Sequence, residues 1–441
     1  MMQLAEAKSI AIWGYGREGR ASYNFIKHAG INAEITIISD DKIDDCPTDC
    51  ALLFGKDGTD AIGAGKFDLI IKSPGISLYR PEISAGKKTG TYFTSATNIW
   101  LEHNPDARTI VVTGTKGKST TAKLIHHILC EMGIVAELAG NVGRPLMEIE
   151  SPPEITVIEL SSYQIADLTV APDIALALNL YPEHIPWHQS VEKYYSDKLR
   201  IFTIEPTPTA VLDANSKEIK QRLGGLKNAI WFNSPSSYVA GDNGVNHGDI
   251  EIISKNDCPL LGKHNLSNVA AALCVVEIVV GTLANKVDEI KKAVSSFTPL
   301  PHRLELLGEK DGVLFVNDSI STTPQSALAA LQSFGERKKI IILGGQDRGL
   351  DYAVLAEGLT KNNVKAALTI PDNGNLIARQ LRKISPETNI IECTDLEDAL
   401  GKAKQMAENG DAILLSPAAP SFGHFKDYAE RGSRFSELCG F

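Results

Sequence analysis

The sequence lacks three features that would each point to a particular class of protein. No stretch approaches the roughly 18 consecutive apolar residues that a membrane-spanning helix needs, so we expect no membrane span. The net charge of −10 argues against nucleic acid as the main ligand, because binding a phosphate backbone requires a basic face. The seven cysteines are scattered and odd in number, which does not suggest a disulfide scaffold. Cys46 and Cys50 are close, but no second pair or nearby histidine completes a zinc site.

The N-terminal residues also lack the apolar core of a signal peptide and lead directly into a predicted strand. Together with the free cysteines, this predicts a cytoplasmic protein in a reducing compartment. The sequence contains no internal repeat, coiled coil or low-complexity stretch. A chain of 441 residues is long enough for about two to four domains, each with its own core.

The most informative segment is Thr113 to Thr120, with the sequence TGTKGKST. An apolar run precedes it and a helical pattern follows, so it predicts a strand, a glycine-rich loop and a helix N-terminus that together bind phosphate. We expect Lys118 to contact a phosphate and Ser119 to face Mg²⁺. Val112 occupies the place of the first glycine in the common form of this motif. An ordinary strand-to-helix turn is the alternative, but the complete order of elements favours a nucleoside triphosphate.

The first segment of the chain predicts a Rossmann-like domain. A strand from Ser9 to Trp13 is followed by a G-x-G-x-x-G turn at 14–19, and a second strand ends at Asp40 and Asp41, as a ribose-binding acid would. A third strand leads into Ser73-Pro74-Gly75. This crevice suits the diphosphate of a nucleotide-linked ligand. The turn alone leaves NAD, a UDP-sugar and a purely structural role open.

The alternation of strands and helices predicts three α/β domains in series. The boundaries are expected at 1–94 (Rossmann-like), 95–299 (a central ATPase domain with the phosphate loop) and 300–441 (Rossmann-like), the last beginning after the stiff Pro299-Leu300-Pro301. Parallel sheets covered by helices on both faces are the expected architecture.

Polar residues at predicted strand ends of the central domain are candidates for chemistry, because ligands bind at that edge of a parallel sheet. Glu159 ends one strand and could hold Mg²⁺, with a helix-capping acid as the alternative. His184 follows another strand, and His188 competes with it but is interpreted as a loop residue. Lys198 lies in a predicted helix and, by its sequence context alone, is a surface lysine.

Several blocks of the sequence resemble the Mur ligase family. They appear in the family order and span nearly the whole chain: residues 113–120, 140–143, 159–164, 178–184, 261–268, 301–305 and 317–319. The glycine turn, Ser73-Pro74-Gly75 and the tail at 415–422 are most similar to the branch that adds D-glutamate to UDP-N-acetylmuramoyl-L-alanine. Together, these blocks indicate the family far more specifically than any single motif among them.

The resemblance implies a role for each matching residue. Lys118, Asn141, His184 and Lys198 would be catalytic, and two Mg²⁺ ions would be held by Ser119, Glu159, His184 and Lys198, the last as a carbamate. ATP would be bound by Gly114, Thr115, Lys116, Gly117, Lys118, Ser119, Thr120, Asn265, Asn268, Arg303 and Asp318. The UDP part of the acceptor would contact Tyr15, Gly16, Arg17, Asp40, Asp41, Ser73 and Gly75. Glutamate would contact Thr322, Arg348, Ser421, Phe422 and Tyr428.

The activity that the resemblance implies is ATP-dependent amide formation through an acyl phosphate, in the synthesis of peptidoglycan precursors. The substrates would be UDP-N-acetylmuramoyl-L-alanine and glutamate, and the protein is expected to be a monomer without nucleic-acid partners. D-Glutamate is the first choice for the added amino acid. However, Ile320 and Arg348 stand where the familiar D-glutamate ligases carry lysines, so L-glutamate is the alternative.

Two further hypotheses remain for the function. Another branch of the family, such as a folylpolyglutamate synthase or a ligase that adds a later residue, is the second enzymatic reading. A non-catalytic nucleotide switch is the third. A switch would bind nucleotide without releasing phosphate, and it would have no need of a third α/β domain.

Overall fold

The computed structural model describes residues 4–43 and 45–441. They form two compact units. The first comprises Met1–Asp257 and Ser267–Phe297, and the second comprises Cys258–Leu266 and Thr298–Phe441. The three expected domain boundaries stay a prediction, because this division groups the first two expected domains in one unit.

The N-terminal part of the first unit is a parallel sheet with helices. Its strands are β1 (Ser9–Trp13), β2 (Glu34–Ser39), β3 (Ala51–Phe54), β4 (Leu69–Lys72) and β5 (Tyr92–Thr94), and its helices are α1 (Arg17–His28), α2 (Gly55–Gly63) and α3 (Pro81–Lys88). The strand order is β3-β2-β1-β4-β5, and each neighbouring pair is parallel. The order reverses direction beside β1, so the β1–α1 turn lies where a doubly wound sheet opens its ligand crevice.

The central sheet carries the phosphate loop, the name used here for residues 113–120. Its strands are β6 (Thr109–Thr113), β7 (Ala136–Gly140), β8 (Ile155–Glu159), β9 (Ile174–Ala177), β10 (Thr209–Asp213) and β11 (Ile230–Phe232), in the order β11-β10-β9-β6-β8-β7. Its helices are α4 (Ala96–His103), α5 (Lys118–Glu131), α6 (Ser162–Ile165), α7 (Ile185–His188), α8 (Val191–Leu199) and α9 (Lys217–Leu223). Since β6 lies between β8 and β9, the ends of these three strands place the phosphate loop, Glu159 and the segment before His184 side by side.

The remaining elements of the first unit were not all expected. An antiparallel sheet consists of β12 (Tyr238–Ala240), β13 (Gly244–His247) and β14 (Ile250–Ser254). The helices α10 (Lys263–Val280) and α11 (Val287–Ser295) follow, and the residues of α10 up to Leu266 are counted in the second unit. Helix α10 is long and apolar enough to cross a membrane by length and composition, but 61% of its window is buried within the protein, as in a core helix.

The second unit is built on one mixed sheet. Its strands are β15 (Glu305–Lys310), β16 (Val313–Asn317), β17 (Lys339–Gly344), β18 (Val364–Ile370), β19 (Ile390–Glu392) and β20 (Ala412–Leu415), in the order β15-β16-β20-β17-β18-β19. Its helices are α12 (Pro324–Gln332), α13 (Ala353–Lys361), α14 (Gly374–Ile384), α15 (Leu396–Met406) and α16 (Tyr428–Cys439). Among the described strands of this sheet, only the edge pair β15–β16 is antiparallel. The expected α/β class with parallel sheets is confirmed.

The apolar core explains why these segments form these elements. The central strands β1 and β6 are buried at every residue except Ser9. Because helices cover both faces of a parallel sheet, such strands need a nearly continuous run of apolar residues. A single buried cluster runs from the first sheet into the central sheet and includes Ile12, Trp100, Val111 and Ile158. This shared core makes the two sheets one compact unit.

Candidate active site

The phosphate loop has the backbone geometry that its glycines allow. Gly117 caps α5 with a φ of 88°, and a Cβ there would lie 2.7 Å from the Oδ1 atom of Asn268. Gly114 has a φ of 145°, and a Cβ there would lie 3.0 Å from the Leu178 side chain. Larger residues would be strained at both positions, because L-residues with a side chain rarely adopt a positive φ. The loop therefore runs close to its neighbours and presents the N-terminus of α5.

Side chains from the end of β9 hold this loop in place. The Asn179 side chain accepts a hydrogen bond from the Lys116 amide at 2.8 Å and donates one to the Lys116 carbonyl at 2.9 Å. The buried Thr115 hydroxyl lies 2.8 Å from the Tyr194 hydroxyl and receives the Tyr181 amide at 3.0 Å. Lys118 donates to the Thr115 carbonyl at 3.1 Å. The loop is thus preorganised by hydrogen bonds from residues distant in sequence.

Lys198 is buried beside the phosphate loop. It is 2% exposed, and its Nζ donates to the Gly114 carbonyl at 3.0 Å. Burial lowers the pKa of the Lys198 amine well below its usual value, and the nearby charge of Lys118 lowers it further. The interpretation of Lys198 as a surface lysine is wrong. An amine with a lowered pKa exists partly as the free base, the form that reacts with CO₂.

Two further predicted metal ligands, Glu159 and His184, have electron pairs that a cation could use. Glu159 is 3% exposed, and its Oε2 has no hydrogen-bond partner among the described residues. Burial lowers the pKa of His184 to about 4, so its imidazole is neutral at physiological pH. His184 also adopts a left-handed backbone with a φ of 57°. Such a conformation in a residue other than glycine is uncommon and is enriched at functional sites.

These residues fit a divalent cation. An unpartnered carboxylate oxygen and a neutral imidazole are both ligands that such ions accept. Within residues 4–43 and 45–441 there is no group of three or more His, Cys, Asp or Glu side chains that could hold a metal by itself. A site here would therefore also need the Ser119 hydroxyl, the modified Lys198 or oxygens of the substrate.

Asn141 and the first-sheet residues lie near the same edge of the first unit. Asn141 is exposed, and its backbone N–H donates a hydrogen bond to the Glu159 carbonyl at 3.1 Å. Arg17 is exposed and donates to the Gly143 carbonyl, which lies two residues beyond Asn141. Ser73 donates to the Gly14 carbonyl at 2.8 Å, which joins two of the predicted UDP-binding turns.

The remaining predicted UDP contacts differ in exposure. Tyr15 is 9% exposed, and the Arg20 guanidinium lies 4.7 Å above its ring. Asp40 and Asp41 are exposed at the end of β2, and Asp40 forms an ion pair with Arg80 at 2.7 Å. A ribose hydroxyl would have to compete with Arg80 for this carboxylate.

The residues predicted to bind the adenosine part of ATP are divided between the units. Asn268 belongs to the first unit, where it packs against Gly117. Asn265, Arg303 and Asp318 belong to the second. Asp318 accepts hydrogen bonds from the Ser416 hydroxyl at 2.7 Å and the Leu304 amide at 3.1 Å, and burial raises its pKa to about 6. The Nε atom of Arg303 is buried and has no hydrogen-bond partner within the described residues.

The predicted glutamate-binding residues line loops at the carboxyl edge of the second unit's sheet. Ser421 is 4% exposed, whereas Phe422 is 49% and Tyr428 is 43% exposed. Arg348 is exposed in the loop after β17, and Thr322 is half-buried in the loop after β16. The adjoining loops thus present two aromatic rings, a guanidinium and hydroxyl groups.

Sequence reasoning missed Arg431, which organises these loops. It lies on α16, is 1% exposed and donates to the Ser319 carbonyl at 2.8 Å, the Ala419 carbonyl at 3.0 Å and the Gly344 carbonyl at 3.3 Å. Its Nε also donates to the Ser319 hydroxyl at 3.1 Å. One guanidinium therefore joins the loops that follow β16, β17 and β20. Its charged neighbours Glu430 and Arg434 give a sequence pattern that does not differ from that of a solvated helix face.

The interpretation of His188 as a loop residue is also wrong. His188 is the last residue of α7, is fully buried, and has both ring nitrogens engaged by Asp197 and Ser162. Asp197 is 9 residues and Ser162 is 26 residues away in sequence, so neither lies within one helical turn of His188. No local signal could have found this cluster.

Comparison with known sequences and structures places this architecture among known proteins. Residues 112–276 match the family profile of the Mur ligase middle domain, and residues 302–419 match that of the Mur ligase glutamate ligase domain. A protein of Xanthomonas axonopodis pv. citri named UDP-N-acetylmuramoyl-L-alanine–L-glutamate ligase is 38% identical, and the match covers 99% of this chain and 96% of that protein. A protein of the same name from a Micromonospora species is 33% identical, over 98% and 96% of the two chains.

Solved structures share the fold at low sequence identity. The ligase MurF from Thermotoga maritima, in complex with ADP, matches with a TM-score of 0.60 and 17% identity over 99% of this chain and 98% of that one. UDP-N-acetylmuramate-alanine ligase MurC from the same organism also gives a TM-score of 0.60, at 16% identity, over 98% of this chain and 99% of that one.

Proposed function

The chain belongs to the Mur ligase family, and we propose that it is an ATP-dependent ligase that joins L-glutamate to UDP-N-acetylmuramoyl-L-alanine in peptidoglycan precursor synthesis. The observation that carries this proposal is the 38% identity to a ligase of that name over 99% of the chain. The phosphate loop, with a buried carboxylate, a neutral imidazole and a buried amine beside it, supports the same chemistry.

The reaction first converts a poor acylating agent into a reactive one. The alanyl carboxylate attacks the γ-phosphorus of ATP, so that a C–O–P anhydride forms and ADP leaves. The glutamate amine, as free base, then attacks the carbonyl carbon and phosphate is expelled. Both partners of the first step are anions, so positive charge has to be supplied by the protein. Lys118 and Arg303 would provide it, and Asn141 would contact the acceptor and the transferred phosphoryl group.

Ser119, Glu159, His184 and the Lys198 carbamate are the residues that would hold two Mg²⁺ ions. When bound, the ions would neutralise charge on the phosphate oxygens. The carbamate would form when the free amine of Lys198 attacks CO₂ and loses a proton, which converts a cation into an oxygen ligand that hard ions prefer. The lowered pKa of Lys198 and the unpartnered Oε2 of Glu159 support this assignment.

Each of the three expected domains would bind a different part of the substrates. Residues 1–94 would hold the UDP part of the acceptor, 95–299 the triphosphate, and 300–441 the amino acid and part of the adenosine. Ser73 and Gly75 follow β4, the phosphate loop follows β6 and Arg348 follows β17, so each expected domain places part of its site at the carboxyl end of a strand, which supports this division. We further propose a cytoplasmic monomer.

The expected preference for D-glutamate gives way to L-glutamate in this proposal. The relatives named above carry L-glutamate in their names, and Ile320 and Arg348 depart from the lysines of the familiar D-glutamate ligases. Ile320 contributes no charge, and Arg348 presents a planar guanidinium that can bind a carboxylate through two parallel hydrogen bonds.

The experiment that tests the proposal is phosphate release from ATP with UDP-N-acetylmuramoyl-L-alanine and each glutamate enantiomer separately. We expect release and a joined product with L-glutamate. Preference for D-glutamate would overturn the stereochemical part alone. Release with a folate acceptor, or nucleotide binding without any release, would overturn the proposal itself.

A further inference from the structure

Asp197 connects two parts of the first unit that are distant in sequence. Its Oδ2 lies 2.6 Å from the Nδ1 atom of His188. Both of its oxygens also accept hydrogen bonds from the Tyr79 hydroxyl, at 3.0 and 3.1 Å. Tyr79 belongs to the segment after β4, whereas Asp197 lies on α8 of the central sheet. The carboxylate of Asp197 is therefore shared between the two sheets.

A second contact runs beside the first. The Trp187 indole N–H is shared between the Pro74 and Gly75 carbonyls, at 3.1 Å each, and the Trp187 carbonyl accepts a hydrogen bond from the Ser77 hydroxyl at 2.6 Å. We call residues 73–79 the acceptor loop, because Ser73 and Gly75 are expected to contact the acceptor. Consecutive residues of α7, Trp187 and His188, thus lead from this loop to Asp197.

The same short segment contains two expected metal ligands. His184 comes directly before α7, and Lys198 follows Asp197 on α8. The His188–Asp197 hydrogen bond joins α7 to α8, so it restrains the two elements that carry His184 and Lys198. Because His188 is fully buried and the Asp197 side chain is only 13% exposed, water competes little for this bond.

We propose that Asp197 is a positioning residue that ties the acceptor loop to the pair His184 and Lys198, with His188 and Tyr79 as its two partners. This inference rests on the proposed function, since it assumes that the acceptor loop and that pair serve the same reaction. A reacting carboxylate must meet the phosphoryl group within a fraction of an ångström, and misplacement by about 1 Å can cost a rate factor of roughly 100. A rigid link between the two binding elements meets that requirement.

A hydrolytic triad is the competing interpretation of these residues. The Ser162 hydroxyl lies 3.0 Å from the Nε2 atom of His188, which gives the order serine, histidine and aspartate. However, Ser162 is 1% exposed and His188 is 0% exposed, so no substrate could reach the hydroxyl. The three residues therefore connect structural elements, and Ser162 does not act as a nucleophile.

The variants that test the proposal remove the Tyr79–Asp197 contact and the His188–Asp197 contact separately. Tyr79→Phe removes only the hydroxyl and keeps the ring, which packs edge-on against Trp187. His188→Asn keeps an amide near the Nδ1 position facing Asp197, whereas His188→Gln keeps one near the Nε2 position facing Ser162. Tyr23→Phe is the matched control, because the Tyr23 hydroxyl donates to Asp49 within the first sheet and does not reach the central one.

The measurements are steady-state kinetics for each substrate and calorimetric binding of UDP-N-acetylmuramoyl-L-alanine. We expect Tyr79→Phe to raise the KM and the Kd for the acceptor about tenfold while the KM for ATP stays within about twofold. We expect His188→Gln to lower kcat about tenfold or more and His188→Asn to retain most of the activity. The combination of Tyr79→Phe with His188→Gln should lower kcat/KM for the acceptor by less than the product of the single effects, because both act through Asp197.

Three results would overturn the proposal: acceptor binding by Tyr79→Phe equal to that of Tyr23→Phe, His188→Asn as impaired as His188→Gln, or equal increases in KM for all substrates. Absence of ligation by the wild-type protein would instead contradict the proposed function. Even in that case, the Kd of the Tyr79→Phe variant for the acceptor would show whether acceptor binding by the loop depends on its contact with Asp197.

Discussion

Replacing Arg431 with methionine should selectively impair the use of glutamate. The guanidinium is buried, and burial lowers its pKa to about 9, so it remains charged at neutral pH. It holds the loops after β16, β17 and β20 through the carbonyls of Ser319, Gly344 and Ala419. The expected glutamate-binding residues lie on or beside these loops. Methionine fills similar space but donates no hydrogen bond.

The size of the effect follows from the bonds that are lost. Three carbonyls lose a charged donor, and hydrogen bonds to charged groups contribute roughly 1.5 to 3 kcal/mol each. Because burial of the guanidinium itself costs free energy, we take the lower value and expect the second unit to lose about 4 to 5 kcal/mol of stability. If only half of that energy holds the loops in their binding conformation, the KM for glutamate should still rise more than about tenfold. Arg431→Lys keeps a charge but has three donors on one atom instead of a planar fork, so we expect an intermediate effect.

The assay is steady-state kinetics with each substrate varied in turn, accompanied by thermal unfolding. Arg434→Met is the control, because Arg434 lies on the same helix but is 47% exposed and paired with Glu397 at 3.2 Å, and exposed ion pairs contribute little. An unchanged KM for glutamate in Arg431→Met, or equal effects on ATP and acceptor, would refute this reasoning.

Two other predictions concern the phosphate-loop side of the site. Lys118→Ala should abolish ligation while UDP-N-acetylmuramoyl-L-alanine still binds in calorimetry, because we propose that Lys118 contacts the triphosphate and not the UDP group; loss of both would contradict the division of the site. Lys198→Ala should be inactive because a ligand to the metal is missing, and added acetate should restore part of the rate by replacing the carbamate oxygen atoms; full activity without acetate would show that Lys198 has no such role.

The strongly apolar elements could be predicted from the sequence, since their burial on both faces leaves an unbroken pattern. The apolar runs at 9–13, 364–370 and 412–415 predict strands, and they coincide with β1, β18 and β20. Strand β7, with the sequence AELAG, was missed because its edge position does not require an apolar run. The hairpin of β12 and β13 was missed although Asn243-Gly244 at its turn is a recognised hairpin signal.

Some residues of the candidate site could also be predicted from the sequence, whereas others could not. Lys118 and Ser119 could be identified because a loop motif is local in sequence. The burial of Lys198 depends on the Gly114 carbonyl, 84 residues away, and the contacts of Arg431 with Ser319 span 112 residues. Charged residues on helices usually face solvent, so the exceptions become visible only when the tertiary packing is known.

The most direct test of the central claim follows an oxygen atom. If the acceptor carries ¹⁸O in its alanyl carboxylate, the acyl phosphate route transfers one labelled oxygen to the phosphate that is released. We expect mass spectrometry of phosphate formed with ATP and L-glutamate to show one ¹⁸O per molecule. Unlabelled phosphate accompanying the joined product would contradict the account, because the carboxylate would then never have been bonded to phosphorus.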